Sequence, residues 1–383
     1  MPFITSIHRH FDDLPDPRID RCKHHLLLDI ITIAICAVIS NADGWLDIEA
    51  YGRAKEAFFR QFLDLPHGIP SHDTFGRVFA RLNPVAFQQA FVAWVDAIRL
   101  KLPGDVIALD GKTERRTHDR AIGLSPLHIV SAWSTANRLV LGQVRTADKS
   151  NEITAIPLLL ELLDLHGCVI TIDALGCQVA IAEQIVAQEA DYVLACKGNQ
   201  GHLARDVEHL FADLLAQADD PAVVDYCKSV HEAHGRREVR EYWSTEQLER
   251  ISTRARWPLL RSVAMVRSER TIAGVTSVET RQYISSLPSG AERVAYAIRN
   301  HWGIENQVHW ILDVVFAADA SRARIGHSAH NLAIIRHLVL NLLRQETSLK
   351  TSLRQKRLRA GWDDAYLWKV LQNDPQEENI CNA

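Results

Sequence analysis

The chain has 383 residues, of which 47% are hydrophobic and 23% charged, with a formal net charge of −4 and a pI near 6.5. That balance excludes global disorder and allows two or three domains, each with its own core. It also excludes nucleic-acid binding through bulk charge alone, so any phosphate-facing surface has to be local.

In chain order, residues 1–100 read as a helical N-terminal domain. The apolar run Leu26–Ile39, interrupted by Asp29 and Thr32, falls short of the ~20 residues that cross a bilayer, and His25–Ser40 reads as a buried helix. The chain opens without a basic stretch leading into an apolar one, so a cytoplasmic protein with no membrane partner is expected. Trp45–Phe62 has amphipathic spacing, Ser71 suits the N-cap of a helix over His72–Leu82, and Asn83-Pro84 starts another reaching about Leu100. Two short helices around a Pro/Gly turn suit a helix-turn-helix, and equally a plain bundle.

The texture changes at Pro103. Asp105–Leu109, Leu127–Trp133, Arg138–Val144, Cys168–Ile172 and Tyr192–Cys196 read as strands, with helices over Glu152–Leu165 and Gln178–Gln188. This order predicts a mixed α/β core over residues 101–345. A β-rich, Arg- and Glu-dense stretch at about 219–290 looks like an insertion, with strands over Arg261–Val266 and Glu279–Ser285. Helical patterning resumes at Ala291 and runs to about Leu343. Residues 321–360 carry nine Lys or Arg against one acid, Glu346, and are expected to face phosphate. Residues 346–383 read as a basic, partly helical tail with Gly361–Leu371 amphipathic and the last ten residues frayed. The seven cysteines stand singly, without a Cys-x-x-Cys pair, as reduced thiols do.

Two strands end in a carboxylate. Asp110 follows an apolar strand and precedes Gly111-Lys112-Thr113, and Asp173 closes Thr171-Ile172 in the same manner. Each also suits an ordinary turn or helix N-cap. Neighbouring strand ends would bring the two together, and like charges so close call for a neutralising cation, for which Mg2+ or Mn2+ is the natural choice. On one helix, His301, Glu305 and His309 fall at i, i+4 and i+8. That face suits a third carboxylate, a solvated surface, or a zinc site of these three residues. Three carboxylates can hold two ions ~3.5–4 Å apart for in-line displacement at phosphorus. Lys197 and Asn199, after the last core strand, place a cation and an amide at the same sheet edge.

Several segments together resemble the H-repeat-associated insertion-sequence transposases, a branch of the DDE transposases. They are Leu14-Pro15-Asp16-Pro17-Arg18, Gly68-Ile69-Pro70-Ser71-His72-Asp73-Thr74-Phe75, Ala108-Leu109-Asp110-Gly111-Lys112-Thr113, Asp173-Ala174-Leu175-Gly176-Cys177-Gln178, Lys197-Gly198-Asn199-Gln200 and His301-Trp302-Gly303-Ile304-Glu305-Asn306. The resemblance spans nearly the whole chain. It implies a ribonuclease-H-like core with a β-rich insertion, and Asp110, Asp173 and Glu305 as a catalytic triad holding two Mg2+ or Mn2+ ions. Related families carry Tyr-x-x-Arg-x-x-x-Glu and a Lys seven residues later. Here those places hold Ile298, His301 and Leu312, which leaves Arg299, His301 and His309, with Lys197 and Asn199, as the DNA-contacting candidates.

The expected function is therefore metal-dependent cleavage and strand transfer at terminal inverted repeats. The expected partner is double-stranded DNA, bound by at least a dimer. A decayed relative that only binds DNA, and a two-metal nuclease of host defence or repair, fit the same residues.

Overall fold

Leu27–Ile39 (α1) is apolar on every side, and each residue from Asp29 to Ile39 is buried. By composition it resembles a membrane helix. In the computed structural model, which describes residues 9–118, 123, 125–146, 152–216, 224–233 and 235–372, protein encloses it instead. The amphipathic stretch after it breaks at Lys55 into Trp45–Ala54 (α2) and Glu56–Phe59 (α3). The Ser71 hydroxyl accepts from the Thr74 N–H and starts His72–Arg81 (α4). Pro84–Ile98 (α5) begins with Pro84 in its first turn and the Asn83 side chain capping Val85 and Ala86. The connection between α3 and α4 occupies residues 60–71, far longer than the ~3–4-residue turn of a helix-turn-helix. Trp45 stacks on Phe79 across α2 and α4, as in a packed bundle.

Strands β1 (Val106–Glu114), β2 (Leu127–Ser134) and β3 (Leu139–Thr146) form an antiparallel meander. Helix α6 (Glu152–Glu161), β4 (Val169–Ile172), α7 (Val179–Ala187) and β5 (Asp191–Cys196) then add two strands parallel to β1. A helix that periodicity did not mark, α8 (Gly201–Ala216), follows. The β-rich stretch contains β6 (Asp225–Ala233), β7 (Arg236–Thr245), β8 (Ser262–Ile272) and β9 (Val275–Ser285). Its expected start near residue 219 lies outside the described residues, as do the last ten residues.

These strands are not a separate layer. They continue one nine-stranded sheet in the order β3-β2-β1-β4-β5-β9-β8-β7-β6, joined where β9 pairs antiparallel with β5. Only the root of the β8–β9 hairpin is buried. Its outer half is an exposed ribbon closed at Ala273-Gly274, both with positive φ as a two-residue hairpin turn requires.

The expected continuous helix after Ala291 is also divided. Ala291–His301 (α9) stops at Trp302, a five-residue π-turn spans Glu305–His309, and Trp310–Val314 (α10) follows. Ser328–Gln345 (α11), Leu353–Trp362 (α12) and Asp364–Gln372 (α13) complete the chain. Helix α11 packs on α1, α4, α5 and β3, and the Asn341 amide exchanges two hydrogen bonds with the Val140 backbone. One apolar core thus runs from Phe11 to Leu371.

That packing withdraws three cations of the basic stretch at 321–360 from the surface, while Arg322, Lys350, Arg354 and Arg359 stay exposed. Arg336, Lys356 and Arg357 are buried, Arg336 against Glu114 and Arg357 on the Val38 carbonyl and the Phe316 ring. These cations tie the terminal helices to the core rather than facing phosphate. Among the described residues all cysteines are free.

Candidate active site

The parallel register of β1 and β4 ends at Leu109 opposite Ile172. Asp110 and Asp173 are the next residues along the two strands, so they stand at the same level. Asp110 does not end its strand, because β2 pairs with β1 as far as Glu114 and holds it extended. Asp173 follows the last residue of β4, and its Oδ1 accepts from the backbone of Leu175 and Gly176.

The glycines of both motifs are there for space. A Cβ on Gly111 would lie 2.2 Å from Glu152 Oε1 and 2.8 Å from His128 Nε2. These two buried groups hydrogen-bond each other at 2.7 Å. A Cβ on Gly176 would meet Ile172 at 2.3 Å and Ile156 at 2.9 Å.

Glu305 and His309 reach Asp110 from the π-turn. Nδ1 of His309 lies 3.4 Å from Asp110 Oδ2 and 3.6 Å from Glu305 Oε2. One donor atom from each of the three residues lies within 4.8 Å of the others, the one such group of potential metal ligands among the described residues. Asp173 is outside this tight group, although its charge is felt by Asp110. Burial pushes the Asp110 carboxyl up to about 6; His309 opposes the rise, while Glu305 and Asp173 add to it. Glu305, exposed at the rim, is held below its ordinary value first by its hydrogen bond to His309.

A buried carboxylate crowded by two others and an imidazole is a donor set that a divalent cation satisfies. The residues fit such an ion on that chemistry. Lys112, two residues beyond Asp110 on the same strand face, bonds Asp313 at 2.5 Å and so ties β1 to α10. Its charge also acts on Glu305. Leu312, where related families carry a lysine, is buried.

The other candidates divide between two locations. His301 does not join Glu305 and His309 on one face, because the break at Trp302 turns it to Thr171, with Nδ1 3.2 Å from the threonine hydroxyl. The three-residue zinc site is therefore not formed. Burial drives His301 down to about 4, so it is neutral at pH 7 and brings no cation to a phosphate. His309 is 5% exposed, with its Nδ1 turned to Asp110 and Glu305. The Asn199 side-chain amide donates to the Ala174 carbonyl.

Lys197 is exposed and lines a cavity of about 130 Å3 beside Asp173, with Arg281, His301 and Trp302. Arg281 and Trp302, in contact at 4.8 Å, also line a neighbouring groove of about 540 Å3 along the β-ribbon. Arg236, Arg240, Arg270 and Arg299 are on that groove. Sequence reasoning already named Arg299, on α9, but missed the strand arginines Arg236, Arg240 and Arg270, since charge alone does not tell which side of a strand faces a cleft. It also missed the buried Glu114–Arg336 pair, whose partners stand 222 residues apart.

Residues 90–342 match the family model described as "Transposase DDE domain", and residues 8–95 match one described as "DDE_Tnp_1-associated". The Escherichia coli K12 protein named "H repeat-associated putative transposase YhhI" is 40% identical over 373 residues, 96% of this chain and 98% of that one. An uncharacterized protein from the dhlA 3′ region of Xanthobacter autotrophicus is 46% identical over 280 residues, 72% of this chain and 92% of that one. A piggyBac transposase synaptic complex with hairpin DNA aligns over 97% of this chain and 79% of that one, at 9% identity and a TM-score of 0.40.

Proposed function

Since this chain belongs to the DDE transposase family, in the branch of the H-repeat-associated relatives, we propose that it cleaves and joins DNA at the terminal inverted repeats of its own mobile element. The observation that carries this reading is the meeting of Asp110 with Glu305, from opposite ends of the core, at the level where Asp173 leaves the neighbouring strand. The strand order β3-β2-β1-β4-β5, with β1, β4 and β5 parallel, supports a ribonuclease-H-like core.

Asp110, Asp173 and Glu305 would hold two Mg2+ or Mn2+ ions, which when bound activate a water or 3′-hydroxyl and stabilise the departing oxygen. Asp110 is grouped with Glu305 and feels the charge of both other carboxylates, so it would be the one to serve both ions, with Asp173 and Glu305 each completing one site. Lys112 holds α10, and with it the π-turn, against β1. Lys197 and Arg299 are the exposed cations of the original set, and the groove between them offers a path for the DNA backbone into the carboxylates. Asn199, His301 and His309 act within the protein instead. Pairing two element ends calls for at least a dimer on DNA.

Incubating the protein with a duplex carrying the flanking inverted repeat and Mg2+ or Mn2+ tests the reading. Wild type is expected to release 3′-hydroxyl ends at the repeat, while Asp110→Asn binds the same duplex without cutting. Wild-type binding without cleavage would leave a DNA-binding protein, and cleavage indifferent to the repeat would leave a nuclease.

A further inference from the structure

His309 is a buried imidazole whose Nδ1 has two carboxylates for neighbours, Asp110 at 3.4 Å and Glu305 at 3.6 Å. An octahedral ion with bonds of ~2.1 Å sets adjacent ligand atoms roughly 3 Å apart. His309 Nδ1 is within roughly half an ångström of that spacing from each carboxylate, and the three donors lie within 4.8 Å of one another. The imidazole is held where it is: the π-turn carries Glu305 and His309 together, and the ring, 5% exposed, has no open solvent to swing into. Nε2 is buried with no hydrogen-bond partner among the described residues. An ion at Nδ1 would place the ring proton on Nε2 as an unpaired donor, a cost that the metal–nitrogen bond has to exceed.

Resting on the metal-holding role given above to Asp110 and Glu305, we propose that His309 is a direct third ligand of the ion between them, making a two-carboxylate, one-imidazole site that takes Mn2+ in preference to Mg2+. Mg2+ prefers an all-oxygen octahedron and gives up water reluctantly, whereas imidazole suits later first-row ions and Mn2+ accepts oxygen and nitrogen together. The opposing role for His309 is purely positional, with Nδ1–H donating to the two carboxylates and no bond to the ion. The two roles differ in whether nitrogen touches the metal.

Pulsed EPR on the full-length protein loaded with Mn2+ alone separates them. The expected result is the coupling of one directly bound nitrogen-14, replaced by a nitrogen-15 coupling when the wild type is grown with labelled histidine. The coupling is lost in His309→Gln and kept in His301→Gln. Calorimetry should show Mn2+ binding weakened about tenfold or more in His309→Gln, with Mg2+ binding changed less than about threefold. Bound Mn2+ without nitrogen coupling, coupling that survives His309→Gln, or no Mn2+ binding by wild type overturns the proposal. The labelled wild type answers the question even if the variant does not fold. A nitrogen-coupled ion in a protein that does not cut repeat DNA would remove the proposed function and leave the ligand. Cleavage without nitrogen coupling would do the reverse.

Discussion

Asp110 is where the site works against the fold. Its carboxyl, at about 6 in the folded chain against an ordinary 3.8, binds a proton more firmly when folded than when unfolded. Between about pH 4 and pH 6 the native metal-free protein therefore holds the extra proton, so its stability falls as pH rises through that window and the full cost remains above it. At pH 7.5 without metal, Asp110→Asn should melt higher than wild type, by on the order of 1–3 kcal/mol. Divalent ion should raise the melting temperature of wild type and leave the variant nearly unmoved. A variant that melts lower than wild type without metal would contradict this account. Gly111 tests the packing beside it. Gly111→Ala pushes a methyl into the Glu152–His128 pair and should cost about 1–3 kcal/mol in a denaturant melt. An unchanged midpoint would mean that the pair moves aside freely.

Apolar runs and capped helices were legible in the sequence, whereas the amphipathic α8 and the outer ribbon were not read. The core strands ahead of Asp110 and Asp173 stand out as apolar runs bounded by a carboxylate, and Ser71 and Asn83 announce their helices by capping chemistry. The outer parts of β8 and β9 have water on both sides, so they lack the alternation that marks a strand. Of the three candidate carboxylates, the fold brings Asp110 and Glu305 together and leaves Asp173 outside their tight group, while the histidine spacing misled. A regular 3.6-residue period puts His301 with His309, and the break at Trp302 followed by the π-turn separates them. Two element-scale tests follow. Replacing Arg270 and Arg299 with alanine should weaken DNA binding without regard to sequence and make its log–log salt slope about two units shallower; an unchanged slope would remove the ribbon from the DNA path. Lys112→Met removes the tie between β1 and α10. It should lower cleavage at least tenfold while leaving the circular dichroism spectrum native.

At the scale of the whole molecule, no boundary in the apolar core matches the boundary between the helical start and the α/β remainder. Helix α1 is sealed by α11, and Arg357 of α12 reaches the Val38 carbonyl at the end of α1. A chain beginning at residue 96 should therefore not fold: it exposes the apolar face of α11 and should appear as insoluble or ANS-binding material. A soluble fragment with a cooperative melt would show that the N-terminal helices are dispensable to the core.

The same closure has a consequence for synthesis. Helix α1 is made well before α11, which covers much of it and begins only at Ser328. At ~5–20 residues per second, Glu305 reaches Asp110 roughly ten to forty seconds after Asp110 is made. Throughout that interval the nascent chain carries a strongly apolar helix without its α11 cover and no assembled carboxylate cluster. On the proposed function, interrupted translation is therefore expected to yield no chain able to cut DNA.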